Sequence, residues 1–259
     1  MVTVPFTLTT LSYFLLILVR ISLFIYAAPF YSQDAIPDRV KIGFSLFISV
    51  VLFMSMDSAD LEYNGLIGYA VIVIKEGITG LLIGFAANIC SSIVLFTGRM
   101  IDMEIGMSMA SVLDPATGEQ ASITGTLYNN LILMILILSD MHIFILRAII
   151  DSYDVIPMNQ TVFDYEGLYS ALTSFLTDYM VIAFRIVLPV FICIMMLNVV
   201  LGIMSKVAPQ MHMFSIGLQL KVLVGLVVTM VCMQMLPDVA NFIFKEMKQM
   251  IVLFMEAMY

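Results

Sequence analysis

Charge is scarce in this chain of 259 residues: Asp, Glu, Lys and Arg make up 12% of it, against about 25% in soluble globular domains. Basic residues are the scarcer kind, 11 Lys and Arg against 19 Asp and Glu, and the formal net charge is −8. That balance excludes a chain-wide basic footprint for nucleic acid. The three cysteines, Cys90, Cys193 and Cys232, are too few and too scattered for a disulfide framework. Each lies in an apolar run, where a thiol behaves as a small hydrophobe. Internal repeats, low-complexity tracts and strand-like alternation are also missing. So are a Gly-x-Ser-x-Gly elbow, a His-Glu-x-x-His pair, a phosphate loop and a rhomboid-like Ser/His combination. An enzyme is therefore not expected, nor is a metal or cofactor.

What is present is apolar: 62% of the residues are hydrophobic, more than a soluble core of this size can use. Lipid is the solvent that accommodates the excess. A membrane-spanning helix takes about 20 apolar residues, and six stretches qualify: Leu8–Phe30, Ile42–Met56, Leu66–Leu95, Gly125–Ile149, Met180–Met204 and Leu218–Leu236. The second is short, and the third is long enough to demand a kink or a tilt. Helices are expected because lipid forces each segment to satisfy its own backbone. Met1–Val19 has no basic leader and no small-residue cleavage site, so it reads as part of the first helix.

Basic residues fall in alternate connections. Arg39 and Lys41, Arg99, and Lys206 with Lys221 follow the first, third and fifth stretches, whereas Asp57–Gly65 and Ile150–Tyr179 carry none. The expected topology places the odd connections in the cytoplasm and both termini outside, with Lys245 and Lys248 of the tail against it. Within Ile150–Tyr179, the residues Tyr165, Leu168, Tyr169, Leu172, Phe175, Leu176 and Tyr179 share one helical face. That helix lies at the interface, extends the fifth span or packs on a partner. The tail Val239–Tyr259 is helical in pattern, and its placement is open between interfacial and spanning.

Intramembrane charges raise functional hypotheses by default. Lys75 and Glu76 sit in the third stretch, either at the outer interface or in polar contact with a neighbouring helix or a lumen. Arg20 is the lone charge of the first stretch. Asp140, His142 and Arg147 invite a relay or metal reading, but seven-residue spacing favours simple pairing of Asp140 with Arg147 near a helix end. Gly80 and Gly84 form a GxxxG pattern that permits close helix packing. Pro29, Pro189, Pro209 and Pro237 lie where they kink or stop helices.

The most unusual stretch is the third connection. Met100, Met103 and Met107 continue a helical spacing, then small residues follow (Gly106, Ser108, Ala110, Ser111), and Asp114-Pro115 breaks the pattern. Thr117-Gly118 adds a turn signal. Apolar, small and broken backbone at membrane depth is tolerated only where protein or a cavity surrounds it. Two readings remain, a closure inside a pore and a loop packed on its own bundle.

Asp102-Met-Glu-Ile-Gly-Met-Ser-Met-Ala-Ser-Val-Leu-Asp-Pro-Ala-Thr-Gly-Glu-Gln120 resembles the central segment of the FliR family of flagellar biosynthetic export-gate proteins. Ala208-Pro-Gln-Met-His-Met-Phe-Ser-Ile-Gly-Leu-Gln-Leu-Lys-Val-Leu-Val-Gly225 is similar to that family's stretch before its last span. It departs at Gln219, where many members have Pro. The resemblance covers essentially the whole chain and implies an all-α integral membrane protein of about six long hydrophobic helices. A FliP-like part (about 1–179) would be followed by a FliQ-like C-terminal helical hairpin (about 180–236) and a helical tail (239–259).

It also implies a structural and gating subunit of an export apparatus in the bacterial cell membrane, at the flagellar basal body. The partners would be FliP and FliQ in a core complex, then FlhB and FlhA, with unfolded flagellar subunits as cargo and no nucleic acid. The plug loop maps onto 106–120, its closing residues being Gly106, Met107, Ser108, Met109, Ala110, Ser111, Val112, Leu113, Asp114 and Pro115. Met100 and Met103 are candidates for an adjoining seal. Lys206, Pro209, Gln210 and Lys221 would form a turn facing cytoplasmic partners. Because this family's core is raised out of the bilayer plane, Lys75, Glu76 and Arg185 would face partner subunits. The alternatives are the homologous injectisome component and a small-solute secondary transporter. The sequence context around Met109–Gly118 looks more flagellar, and the inverted repeats expected of a transporter are not found.

Overall fold

The computed structural model describes residues 8–33, 35–56, 65–107, 122–207 and 213–259, and no strand occurs among them. The helices are α1 (Leu8–Ala27), α2 (Asp38–Ser55), α3 (Gly65–Ile105), α4 (Ile123–Leu138), α5 (Met141–Val155), α6 (Tyr165–Val207), α7 (Met213–Cys232) and α8 (Leu236–Glu256). A 3₁₀ turn, Met233–Met235, joins the last two. The chain is therefore an all-α protein whose apolar helices suit a multi-pass membrane location.

Helix lengths revise the span count. Among the described residues, four segments are long and apolar enough to cross a membrane: Thr10–Ala27, Gly65–Ile105, Tyr165–Val207 and Ile216–Glu256. The bent pair α4–α5 makes a fifth if it is one span. The expected second span becomes α2, whose 18 residues include Asp38, Arg39 and Lys41 in the first turn and a half; it is not among the candidates. The expected fourth span is broken at Ser139-Asp140, where the chain turns by 68°. Asp140 takes the left-handed conformation there, with φ 57°. This overturns the expected pairing of Asp140 with Arg147. Seven-residue spacing assumed one straight helix, whereas both side chains are exposed and do not pair.

The two long helices absorb what the sequence left open. α3 runs unbroken for 41 residues and carries the start of the third connection. α6 runs for 43 residues, so Tyr165–Tyr179 extends the fifth span. Its buried face is Ala171, Phe175, Ala183, Val187, Val190 and Ile194, while Tyr165, Tyr169 and Leu176 are exposed. Pro189 lies inside α6 without ending it. Pro237, by contrast, falls in the first turn of α8, where its missing N–H costs nothing. Gln219 lies within an uninterrupted α7.

The chain divides into two units. One comprises residues 1–90, 140–174 and 245–259; the other comprises 91–139 and 175–244. In the first, α1 buries Tyr13, Leu16, Ile17, Arg20, Ile21, Phe24 and Ile25, an alternation of three and one that traces a single helical face. Gly80 and Gly84 of α3 lie directly against it. A Cβ on Gly80 would overlap the Arg20 carbonyl, and one on Gly84 would come within 2.8 Å of the Ala27 Cβ. α2 folds back beside α1. Phe53 packs edge-on to Phe14, and the buried Lys41 donates to the Ser32 carbonyl at 3.1 Å. The C-terminal stretch closes this unit: the N–H groups of Val162 and Asp164 donate to the carbonyls of Met258 and Ala257.

In the second unit, α3 after Cys90 packs on α4 and α7. Gly98 meets Gly125 backbone to backbone, so closely that a Cβ on Gly98 would overlap it. Tyr128 of α4 donates to the Thr229 carbonyl of α7 at 2.8 Å. Gly217 of α7 lies beside Leu201 of α6, where a Cβ would stand 3.2 Å from the Leu201 Cδ1. α6 and α7 bury far less of their surface than α1 and α3 do. Apolar side chains including Phe184, Leu188, Met196, Leu223, Val227 and Met230 are left exposed.

Candidate gating site

The segment from Gly106 to Ala121 is held at both ends by polar chemistry. α3 stops because Gly106 has φ 90°, a conformation open to glycine at little steric cost. The Met107 N–H then donates to the Asp102 carbonyl at 2.9 Å and the Gly106 N–H to that of Met103 at 3.2 Å. These two bonds form a Schellman cap that satisfies carbonyls the helix end would orphan. On the far side, α4 starts at the N-cap Ser122, whose hydroxyl oxygen accepts from the Gly125 N–H at 2.8 Å.

Asp102 joins the two ends. Its carboxylate accepts from the Ser122 hydroxyl at 2.6 Å and from the Thr124 N–H at 3.2 Å. The carboxylate is buried, with the residue 5% exposed. Its position beside the first N–H groups of α4 is one where the helix dipole favours an anion. Gly98, Asp102 and Gly106 follow one another at single-turn spacing along α3. The first touches α4, the second bonds its N-terminus, and a Cβ on the third would lie 2.9 Å from Leu218 of α7. Ile105 fills the space above Gly225, where a Cβ would overlap the Ile105 side chain.

Of the expected plug residues, Gly106 and Met107 are half-buried at the end of α3, and Ser108, Met109, Ala110, Ser111, Val112, Leu113, Asp114 and Pro115 lie outside the described residues. The methionines do not share an environment: Met103 is 70% exposed, whereas Met100 is half-buried. Lys206 is exposed and Lys221 half-buried; Pro209 and Gln210 lie outside the described residues.

A second polar centre lies in the other unit. The Arg20 guanidinium donates through Nε to Glu76 Oε2 at 2.6 Å, with both side chains fully buried. Its remaining nitrogens reach the carbonyls of Ser152 and Ile156 and the Ser152 hydroxyl at 3.2–3.3 Å. Those carbonyls lie in the last turn of α5 and at its C-cap, Ile156, where a cation meets the negative end of the helix dipole. The guanidinium also stacks 4.3 Å from the Tyr153 ring centroid. Glu76 Oε1 accepts from the Asn159 N–H at 3.3 Å, and the neighbouring Lys75 donates to the Thr161 carbonyl at 3.2 Å. Glu76 therefore does not face a partner subunit; the chain's own α1 takes it. Arg185 is exposed. The sequence signal was the pair of isolated charges, one in each apolar run.

Both centres join helix to helix. Each anchors helices, and among the described residues no three of His, Cys, Asp and Glu converge to hold a metal ion.

Residues 11–247 match the family described as bacterial export proteins, family 1. The flagellar biosynthetic protein FliR of Bacillus subtilis (strain 168) is 29% identical over 236 residues, 89% of this chain and 90% of that protein. FliR of Escherichia coli (strain K12) is 23% identical over 229 residues, covering 88% and 87%. The surface presentation of antigens protein SpaR of Shigella flexneri is 27% identical over 214 residues, covering 82% of each. With a match that spans nearly all of its length, the chain belongs to the bacterial export proteins, family 1.

Proposed function

We propose that this protein is a structural and gating subunit of the flagellar type III export apparatus, and that residues 106–120 plug its channel between export events. The observation that carries the reading is the Asp102–Ser122 bond. It brings the two ends of an apolar, small-residue segment together, as a closure hung from a fixed base requires. Similarity to FliR proteins along most of the chain supports the flagellar assignment.

In this reading the chain joins FliP and FliQ in a core complex of the bacterial cell membrane, at the basal body, and works with FlhB and FlhA on unfolded flagellar subunits. Residues 180–236 act as the FliQ-like hairpin. Their sparsely buried apolar faces suit contact with lipid and neighbouring subunits, because exposing that much apolar surface to water is unfavourable. Lys206 and Lys221 face cytoplasmic partners, and Met100 and Met103 contribute to a seal beside the plug. Energy comes from other components of the apparatus.

The test is deletion of residues 108–115 in cells that assemble the complex. The expected result is leakage of ions or a small impermeant dye with co-purification of the complex retained. Unchanged permeability in an assembled complex would remove the plug role. The similarity to SpaR favours a second reading, the corresponding injectisome component. Restoration of motility in a flagellated strain lacking its own FliR separates the two.

A further inference from the structure

We propose that the outward face of α2 is seated in lipid, its occupant being the acyl-chain region of the bilayer. α2 is built inside out for a helix in water. Its buried residues are Lys41, Ser45, Ser49 and Leu52, three of them polar. From Val40 to Met54 every exposed residue is apolar or glycine, with Phe47 65% and Met54 77% exposed. The inversion is a choice of face and not of composition, because α2 carries polar residues that it could have turned outward. α8 does the reverse. It buries Ile243, Met247 and Phe254 and exposes Asp238, Lys245 and Gln249. Water favours the arrangement of α8, and hydrocarbon favours that of α2.

The inward polar groups have their partners. The Ser45 hydroxyl donates to the Ile42 carbonyl at 2.8 Å and the Ser49 hydroxyl to the Ser45 carbonyl at 2.7 Å. Lys41 Nζ donates to the Ser32 carbonyl at 3.1 Å and lies 5.8 Å from the Tyr26 ring centroid.

Two features favour lipid over a neighbouring protein. Membrane helices meet one another through small and polar residues, and α2 turns its serines toward the core of its own chain. Its outward face keeps branched and long side chains, as lipid-facing positions do. At the start of α2, the exposed Arg39 and the half-exposed Tyr26 beside Lys41 match the basic and aromatic residues of a headgroup boundary. From there 18 residues extend about 27 Å, close to the hydrocarbon thickness of about 30 Å. The lipid contact stands apart from the plug reading of residues 106–120.

The experiment places benzoylphenylalanine at position 47, 51 or 54 in cells that carry the assembled export complex and whose phospholipids bear an alkyne-tagged fatty acid. Irradiation is expected to attach lipid to the chain at each position. An adduct with a second protein, or no adduct at all three, would overturn the proposal. Substitutions read the same face by another route. Fluid lipid accepts a change of size but not a charge, a packed protein interface accepts neither, and water accepts both. Val51→Trp is therefore expected to keep motility and co-purification of the complex. Val51→Asp should lower the assembled complex by about tenfold or more, because a charge in hydrocarbon is costly. Loss in both variants, or in neither, counts against lipid. Phe47→Leu and Phe47→Lys repeat the contrast at a second position, so a folding defect confined to position 51 does not decide the result.

Discussion

Arg20 and Glu76, 56 positions apart in the chain, form a 2.6 Å ion pair from which solvent is completely excluded. Such a pair is weak as a source of net stability but severe when halved, since one partner alone is an uncompensated buried charge. Its geometry also serves α5, whose terminal carbonyls take the remaining guanidinium protons. The pair thus fixes three helices to one another.

Removing one partner should therefore cost more than removing both. Arg20→Leu is expected to destabilise the protein by about 3–5 kcal/mol, and Glu76→Leu by a similar amount. The double variant should recover part of that loss, falling short because Ser152 and Ile156 lose their donor. Thermal unfolding of the purified complex in detergent checks the order. A double variant less stable than both single ones would contradict it.

Glycine substitutions should divide by what lies beside them. Gly80→Ala drives a methyl group into the Arg20 carbonyl and is expected to lose about 1–3 kcal/mol through overpacking. Gly202, inside α6, has nothing within 4 Å of a built Cβ. There alanine should gain up to about 1 kcal/mol from reduced backbone freedom in the unfolded chain. Melting temperatures of the two variants should move in opposite directions.

The bend between α4 and α5 depends on a backbone conformation that few side chains accept. Asp140→Gly should keep the bend at no loss of stability. Asp140→Val should cost about 1–2 kcal/mol, the ordinary penalty for a left-handed L-residue. Protease sensitivity at the 138–141 junction, compared across the two variants, reports the outcome.

Alkaline pH should loosen the turn after α1. Burial pushes the Tyr31 hydroxyl up from its ordinary value of 10 to about 12, and in its neutral form it donates to the His142 carbonyl at 2.9 Å. A folded pKa raised above the unfolded one gives stability that is complete below pH 10 and lost as pH rises toward 12. Tyr31→Phe should lack this part of the alkaline decline. A difference titration of tyrosinate absorbance should place the missing group near pH 12.

The sequence was legible where chemistry is local. Apolar runs located α1, α3, α6 and α7, and the Gly80/Gly84 spacing marked a close-packed face without naming α1 as its partner. The break at Asp140 was hidden because an apolar run without proline or glycine reads as one helix; only the Ser139-Asp140 dipeptide hinted at it. α2 was read as a short span from its apolar run, and hydropathy cannot show that Lys41 in its first turns points inward to Ser32. Arg20 and Glu76 each stood out as a misplaced charge, yet pairing across 56 positions depends on tertiary geometry that no local pattern encodes. Asp102 lay inside a recognised motif, where its neighbours drew the functional reading and its bond to Ser122 was invisible.

The backbone bonds from Val162 and Asp164 to the carbonyls of Met258 and Ala257 bear on biogenesis. Residues 245–259 belong to the same unit as α1 and α2, so that unit cannot close while the ribosome is still making α7. Until then the helices holding Arg20 and Glu76 reside in the bilayer without their final partner stretch. Pairing over such sequence distances delays folding, and it leaves the nascent chain open to engagement by insertion factors until its last helix docks.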